Sequence, residues 1–284
     1  MHRNLYFVLT LFLKICSAYK PVVLIHGILT GPASMLIIEG EIKKMHPDTV
    51  VYNLDKFAGW SSLENAWHQV DELGKELLAI CAKHPDGVHL LGYSQGGLLS
   101  RAILEAYADH CVKTFISLSS PQAGQYGTDF LHLIFPNLVA QTAFQLFYTY
   151  VGQHTSVGNY WNDPHQQELY LKYSSFLPYV NNELESVNST RFREGILKLS
   201  MMVLVGGPND GVITPWESSH FGFYDANNHV VPMHQQKIYQ NDLIGLKTLD
   251  IKGKLKVLTF ANVKHKEWHI NVDVINDSII PYLD

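Results

Sequence analysis

Val88-His89-Leu90-Leu91-Gly92-Tyr93-Ser94-Gln95-Gly96-Gly97-Leu98-Leu99 is the stretch on which the fold turns. An apolar run of strand character, Val88–Leu91, enters Gly92-Tyr93-Ser94-Gln95-Gly96. Leu98, Leu99, Ala102, Ile103 and Leu104 follow at helical spacing. A strand, a sharp turn and a helix are what a Gly-x-Ser-x-Gly elbow needs to lift a serine hydroxyl above a sheet. Such a serine sits in strained backbone, and side chains two residues to either side would collide, hence glycine at 92 and 96. Outside that context the pattern is short enough to arise by chance, as a Gly-rich turn without chemistry.

Working outward, Val/Ile/Leu-rich runs recur at Val22–Ile25, Val50–Leu54, Thr114–Leu118, Met202–Val205 and Leu255–Phe260, with helix-like stretches between them. Continuous apolar runs alternating with helices predict a mostly parallel sheet buried on both faces. Leu63, Ala66, Trp67, Val70, Leu73, Leu77, Leu78 and Cys81 have the three-and-four spacing of an amphipathic helix. With the elbow, this predicts an α/β-hydrolase fold: a mostly parallel central sheet with helices on both faces. The alternation breaks over 122–198, where Phe130, Ile134, Phe135, Phe144, Phe147, Tyr148, Tyr150, Tyr160 and Trp161 crowd together. That segment reads as an insertion, either a helical cap with a small core of its own or an acyl-binding lid; the two are compatible.

A serine hydroxyl is a poor nucleophile at neutral pH, so a histidine must take its proton and a carboxylate must orient that histidine. In this fold the chain order is Ser, acid, His. Asp210, in Gly207-Pro208-Asn209-Asp210-Gly211, follows the strand run Met202–Val205 and is the expected acid, although Asn-Asp-Gly also suits a plain turn. His269 lies after the last strand run and is the expected base. His265 is the nearest rival, with His220, His229 and His234 further upstream. The oxyanion needs two N–H donors: Gln95, which follows the nucleophile, and Ile28, in the loop after Val22–Ile25. His26 in that loop is more simply a buried structural histidine.

The remaining features bound the setting. Residues 1–18 read as a signal peptide: His2 and Arg3, an apolar run from Leu5 to Leu13, then Cys16-Ser17-Ala18. That run is about ten residues, against about 20 for a membrane span, so no transmembrane segment is expected. Residues 19–284 then form one hydrolase domain. After the leader, Cys81 and Cys111 remain, either paired or as buried thiols. Asn188-Ser189-Thr190 and Asn276-Asp277-Ser278 are glycan-acceptor patterns for a secretory compartment. A net charge of -5 gives no electrostatic case for nucleic acid. The one basic stretch, Lys252, Lys254, Lys256, Lys264 and Lys266, alternates with apolar residues and reads as the wet face of an edge strand. His265 and His269 would suit a metal only on a helix with further ligands, so neither metal nor other cofactor is expected.

Taken together, Pro21–Gly27, Gly92–Leu98, Ile116–Gln122, Asn159-Tyr160-Trp161, Asn209-Asp210-Gly211 and Phe221–Tyr224 make the chain, from about Lys20 onward, resemble the palmitoyl-protein thioesterase family. Asp210–Trp216 points to its second, lysosomal branch. The resemblance implies a lysosomal enzyme that removes long-chain acyl groups from thioesters, palmitoyl-CoA-like or on S-palmitoylated cysteine. It implies a triad of Ser94, Asp210 and His269 with oxyanion donors at Ile28 and Gln95. The cysteines depart from the family: Gly92 and Ser100 stand where vertebrate members carry cysteine, and the insertion has none. A lipase or carboxylesterase would use the same triad on oxygen esters, and a non-catalytic acyl-binding protein is the reading outside enzymes. As the base must be neutral, the rate is expected to fall with pH.

Overall fold

The computed structural model describes residues 19–132 and 137–284. The leader at 1–18 and two positions of the insertion's apolar and aromatic set, Ile134 and Phe135, lie outside them. The strands are β1 (Val22–Ile25), β2 (Val51–Asn53), β3 (Val88–Tyr93), β4 (Val112–Leu118), β5 (Met201–Gly206), a short hairpin β6 (Phe223–Tyr224) and β7 (Val230–Val231), and β8 (Leu255–Thr259). Six of them form one parallel sheet in the order β2-β1-β3-β4-β5-β8. β1 and β3 are buried along their whole length, and the side chains divide with the two-residue period of a strand. Val23, Ile25, Leu90, Phe115, Met202 and Leu204 face one core; Val22, Leu24, Leu91, Ile116, Val203 and Val205 face the other. β8 is an edge strand with Lys256 and Val257 exposed.

The helices follow from the same burial. α1 (Leu36–Met45) and α11 (Val272–Ser278) close the second face, and α2 (Ala66–Cys81) and α3 (Gln95–Ala106) close the first. Asn65 starts α2 by accepting from the Trp67 and His68 N–H groups with its side-chain oxygen. Cys81, at the end of α2, is disulfide-bonded to Cys111, just ahead of β4. Lesser helices α9 (Lys237–Gln240) and α10 (Leu246–Ile251) lie between the hairpin and β8. No helix among the described residues is long and apolar enough to cross a membrane.

Between β4 and β5 the chain makes α4 (Ala140–Phe147), α5 (Ser156–Tyr160), α6 (Gln167–Tyr173), α7 (Leu177–Val180) and α8 (Ser189–Leu197). Its buried aromatic residues do not make a separate core. Phe147, Tyr148, Tyr160, Trp161, Tyr170 and Phe176 belong to the same apolar cluster as α2, α3 and the first face of the sheet.

A buried cation fastens this segment to the nucleophile helix. Arg101 is fully buried on α3 and all five of its N–H groups are engaged: Nε with Gln122 Oε1, Nη1 with Glu105 Oε1 and the Val180 carbonyl, Nη2 with the Gln122 carbonyl and Asn181 Oδ1. Burial pushes the Glu105 carboxyl up to about 8, against the pull of Arg101. Its stabilising contribution is therefore complete below the ordinary glutamate range and is lost as the pH rises through that value. Arg101→Met is expected to destabilise the fold by roughly 3–5 kcal/mol in urea unfolding at neutral pH, because it strips partners from Glu105, Gln122 and Asn181 together. The loss should grow with pH, and Glu105→Gln should flatten that dependence; a pH-independent loss under about 1 kcal/mol contradicts this account.

Candidate active site

Ser94 stands between β3 and α3 with φ 55° and ψ -128°, a conformation that L residues rarely adopt. The close approach is what demands glycine on either side. A Cβ on residue 92 would lie 2.4 Å from the Gly96 carbonyl oxygen, and one on residue 96 would lie 2.4 Å from the carbonyl oxygens of Ile25 and His26. The Ser94 N–H donates to the Leu118 carbonyl at 2.9 Å, tying the elbow to the end of β4.

Ser94 Oγ lies 2.9 Å from His265 Nε2, and His265 Nδ1 lies 2.9 Å from Asp210 Oδ2 and 3.1 Å from Oδ1. The three residues come from the carboxyl ends of β3, β5 and β8, and all are buried. With the carboxylate against Nδ1, that nitrogen carries the proton and Nε2 turns its lone pair to the serine hydroxyl. The backbone repeats the pairing, since the His265 N–H donates to the Asp210 carbonyl at 2.8 Å.

Asp210 is held from every side. Ser119 Oγ donates to Oδ2 at 2.5 Å and Trp268 Nε1 donates to Oδ2 at 2.7 Å; the Val212 and Ile213 N–H groups donate to Oδ1 at 3.0 and 2.7 Å. Burial alone would raise its carboxyl. The bond and charge of His265, with Ser119 and the Ile213 N–H, outweigh that and hold it below the ordinary carboxylate range.

His269, the base expected from position, is not where that role requires. Its ring packs on Tyr93 with centroids 4.5 Å apart, and its Nδ1 is buried without a hydrogen-bond partner. The reason is the path of the chain after β8. The His265 main chain is bonded to Asp210 and its carbonyl accepts from the Tyr93 hydroxyl at 2.7 Å, so the loop meets the acid at 265. The turn at His265–Glu267 then carries residue 269 behind Tyr93. Burial first, and the neighbouring His265 second, lower the His269 pKa.

Ile28 and Gln95, the expected oxyanion donors, line one cleft with Ser94, together with Gln125, Tyr160 and Ile213. The cleft holds about 10 Å³, the room of a single water. His26 bonds to the carbonyls of Gly27 and Lys56 and faces no reacting group, as its structural reading anticipated. Of the two glycan-acceptor asparagines, Asn188 is exposed at the start of α8, whereas Asn276 is half-buried within α11 with its side-chain oxygen buried and unpartnered. Among the described residues no group of three His, Cys, Asp or Glu could hold a metal ion. Ser119 and Trp268, both on the acid, escaped the sequence reading: neither stands at a spacing that ties it to Asp210, and it is the position of β5 between β4 and β8 that brings their loops to it.

A profile of the family described as palmitoyl protein thioesterase matches residues 21–265. The chain is 57% identical to a "Lysosomal thioesterase PPT2 homolog" of Drosophila melanogaster over 96% of its own length and 94% of that protein. It is 46% identical to "Lysosomal thioesterase PPT2" of Homo sapiens over 94% and 89%. In structure it is similar to the crystal structure of Aspergillus fumigatus lipase B, with a TM-score of 0.50, 13% identity, and coverage of 92% of this chain and 51% of that one. The likeness in structure places the sheet and elbow in the α/β-hydrolase fold, and with the profile and the relatives it follows that the chain belongs to the palmitoyl protein thioesterase family and is a thioesterase.

Proposed function

We propose that this enzyme hydrolyses long-chain fatty-acyl thioesters, such as palmitoyl-CoA or an S-palmitoylated cysteine, by double displacement at Ser94. The observation that carries this reading is the unbroken relay from Ser94 Oγ through His265 to Asp210. His265 Nε2 takes the hydroxyl proton as Oγ adds to the thioester carbonyl carbon, and the N–H groups of Ile28 and Gln95 receive the oxyanion. Collapse breaks the C–S bond, and the thiol leaves with the proton from His265. Water, deprotonated by the same nitrogen, then splits the acyl-serine to fatty acid and free Ser94. A thiolate is a good leaving group, so most of the demand falls on the oxyanion donors and the acyl pocket.

Ligand pockets for comparable molecules run to about 300–1,000 Å³. The cleft beside Ser94 is far smaller, so acyl entry requires its walls at Tyr160 and Ile213 to part. On this reading the segment 122–198 acts as the lid. The names of the relatives support a lysosomal location, reached through the secretory pathway with residues 1–18 as a cleaved leader. Asn188 is then the better placed glycan acceptor.

His265→Ala should lower kcat on palmitoyl-CoA by on the order of 10⁴-fold or more, while His269→Gln stays within about tenfold. The reverse ranking would return the base to residue 269. A fluorophosphonate probe should label the wild type and not Ser94→Ala. In parallel assays an acyl thioester should be preferred to a triglyceride, and a large margin for the triglyceride would make the enzyme a lipase.

The pH dependence has a definite sign. The base must be neutral to take the Ser94 proton, and Asp210 is held below the ordinary carboxylate range. Thus kcat/KM should fall as pH falls, and His269→Gln should leave that acid limb in place because the His269 ring packs on Tyr93 outside the relay. A profile still rising toward about pH 4 would overturn the general-base assignment.

A further inference from the structure

The two oxyanion donors lie far apart in sequence, and one buried residue contacts the supports of both. Ser62 is 1% exposed and lies in the turn Gly59–Leu63, ahead of α2. Its hydroxyl accepts from the Leu29 N–H at 2.7 Å and donates to the Gly59 carbonyl at 2.6 Å. Its carbonyl accepts from Gln95 Nε2 at 2.7 Å, Gln69 Nε2 at 2.9 Å and Ser156 Oγ at 2.9 Å. Gln95, Gln69 and Ser156 are themselves buried, so water does not stand in for these bonds.

The bond to Leu29 matters because of the backbone there. Leu29 has φ 54°, a left-handed conformation that a leucine rarely holds unless its surroundings fix it. Leu29 N shares a peptide unit with the Ile28 carbonyl, so its bond to Ser62 restrains Ile28 from its carboxyl side. The same loop is braced by the Gly59 N–H on the Thr30 carbonyl at 2.7 Å, and Ser62 holds Gly59 in turn. On the other side, among the described residues the Gln95 side chain is anchored by Ser62 and, at 3.4 Å, by Gln69, and its Oε1 is buried there without a partner. Ser156, on α5, links the inserted segment to the same carbonyl.

We propose that Ser62 is the positioning residue of the oxyanion site: its hydroxyl fixes the Leu29 backbone that presents Ile28, its carbonyl fixes Gln95, and Ser156 couples the seating of the insertion to both. This rests on the thioesterase reading above. Ser62 touches no reacting atom and acts through the placement of two N–H groups, so its removal should be felt in the tetrahedral state and not in substrate binding.

The experiment compares the wild type with Ser62→Ala, Ser62→Cys and Ser62→Thr on palmitoyl-CoA. Each is also titrated with palmityl trifluoromethyl ketone, which forms a tetrahedral adduct, and with a planar palmitoyl amide. Ala removes the acceptor for Leu29, Cys keeps most of the volume with a much weaker one, and Thr keeps the hydroxyl. Ala and Cys should lower kcat by roughly 10- to 100-fold with KM unchanged within about twofold. They should weaken the ketone in parallel and leave the amide alone, while Thr stays within about threefold of the wild type. If Ser62→Ala does not fold, Ser62→Cys decides. Folded Ala or Cys variants with wild-type kcat, or losses confined to KM or shared equally by ketone and amide, overturn the proposal. Failure of the wild type to hydrolyse thioester or to react at Ser94 would instead remove the thioesterase reading itself.

Discussion

The strained backbone at Ser94 is the constraint on which the rest of the molecule depends. A serine at φ 55° costs on the order of 1–3 kcal/mol and persists only where its surroundings leave no alternative. Here β3 is hydrogen-bonded to β1 on one side and β4 on the other, and α3 begins at once, so the turn cannot relax without breaking pairs in the middle of the sheet. The elbow's own N–H is taken up by the Leu118 carbonyl, which registers it against β4. Every other part of the site is placed relative to that fixed point, at the ends of strands that run parallel to β3.

Parallel strands make this economical. Because all six run the same way, the loops that follow β3, β5 and β8 open on one edge, and residues more than a hundred positions apart meet there. The acid serves as the joint between them. Asp210 takes Ser119 from the loop after β4, and His265 and Trp268 from the loop after β8, so one carboxylate joins three strand ends. A carboxylate with that many donors has little freedom to reorient, and the imidazole it orients inherits the same rigidity.

How much of this was legible in the sequence follows from which features have a period or an order. The six strands of the parallel sheet were readable to within a residue or two, because they are continuous apolar runs that turn residues interrupt, whereas the two-residue strands of the β6–β7 hairpin are too short to leave such a run. Ser94 and Asp210 were readable because each directly follows such a run. His265 and His269 were not separable in the same way. Both lie in the irregular segment between β8 and α11, where no periodicity assigns a direction to a side chain, and the deciding contacts are a main-chain bond to Asp210 and the bulk of Tyr93. Arg101 is a harder case. At its helical position it reads as a solvated cation on an amphipathic helix, and only the fold of the insertion, which brings the Val180 carbonyl and Asn181 over α3, makes the site buried and satisfied.

Arg101 and Asp210 are buried groups whose hydrogen-bonding capacity is engaged throughout. A low-dielectric interior strengthens each hydrogen bond and penalises each missing partner, so a buried polar group specifies geometry more sharply than an apolar one. Arg101 uses that property to set the insertion on α3, and Asp210 uses it to align an imidazole with a hydroxyl. Shape alone would not achieve this, because apolar contacts in the shared core tolerate small shifts of a helix that would still bury the same area. A misplacement of about 1 Å can cost about 100-fold in a reaction that depends on aligned groups. The edge that carries Ser94, Asp210 and His265 is therefore where the structure depends on directional bonds, and the apolar remainder supplies the rigid frame that keeps those bonds from having alternatives.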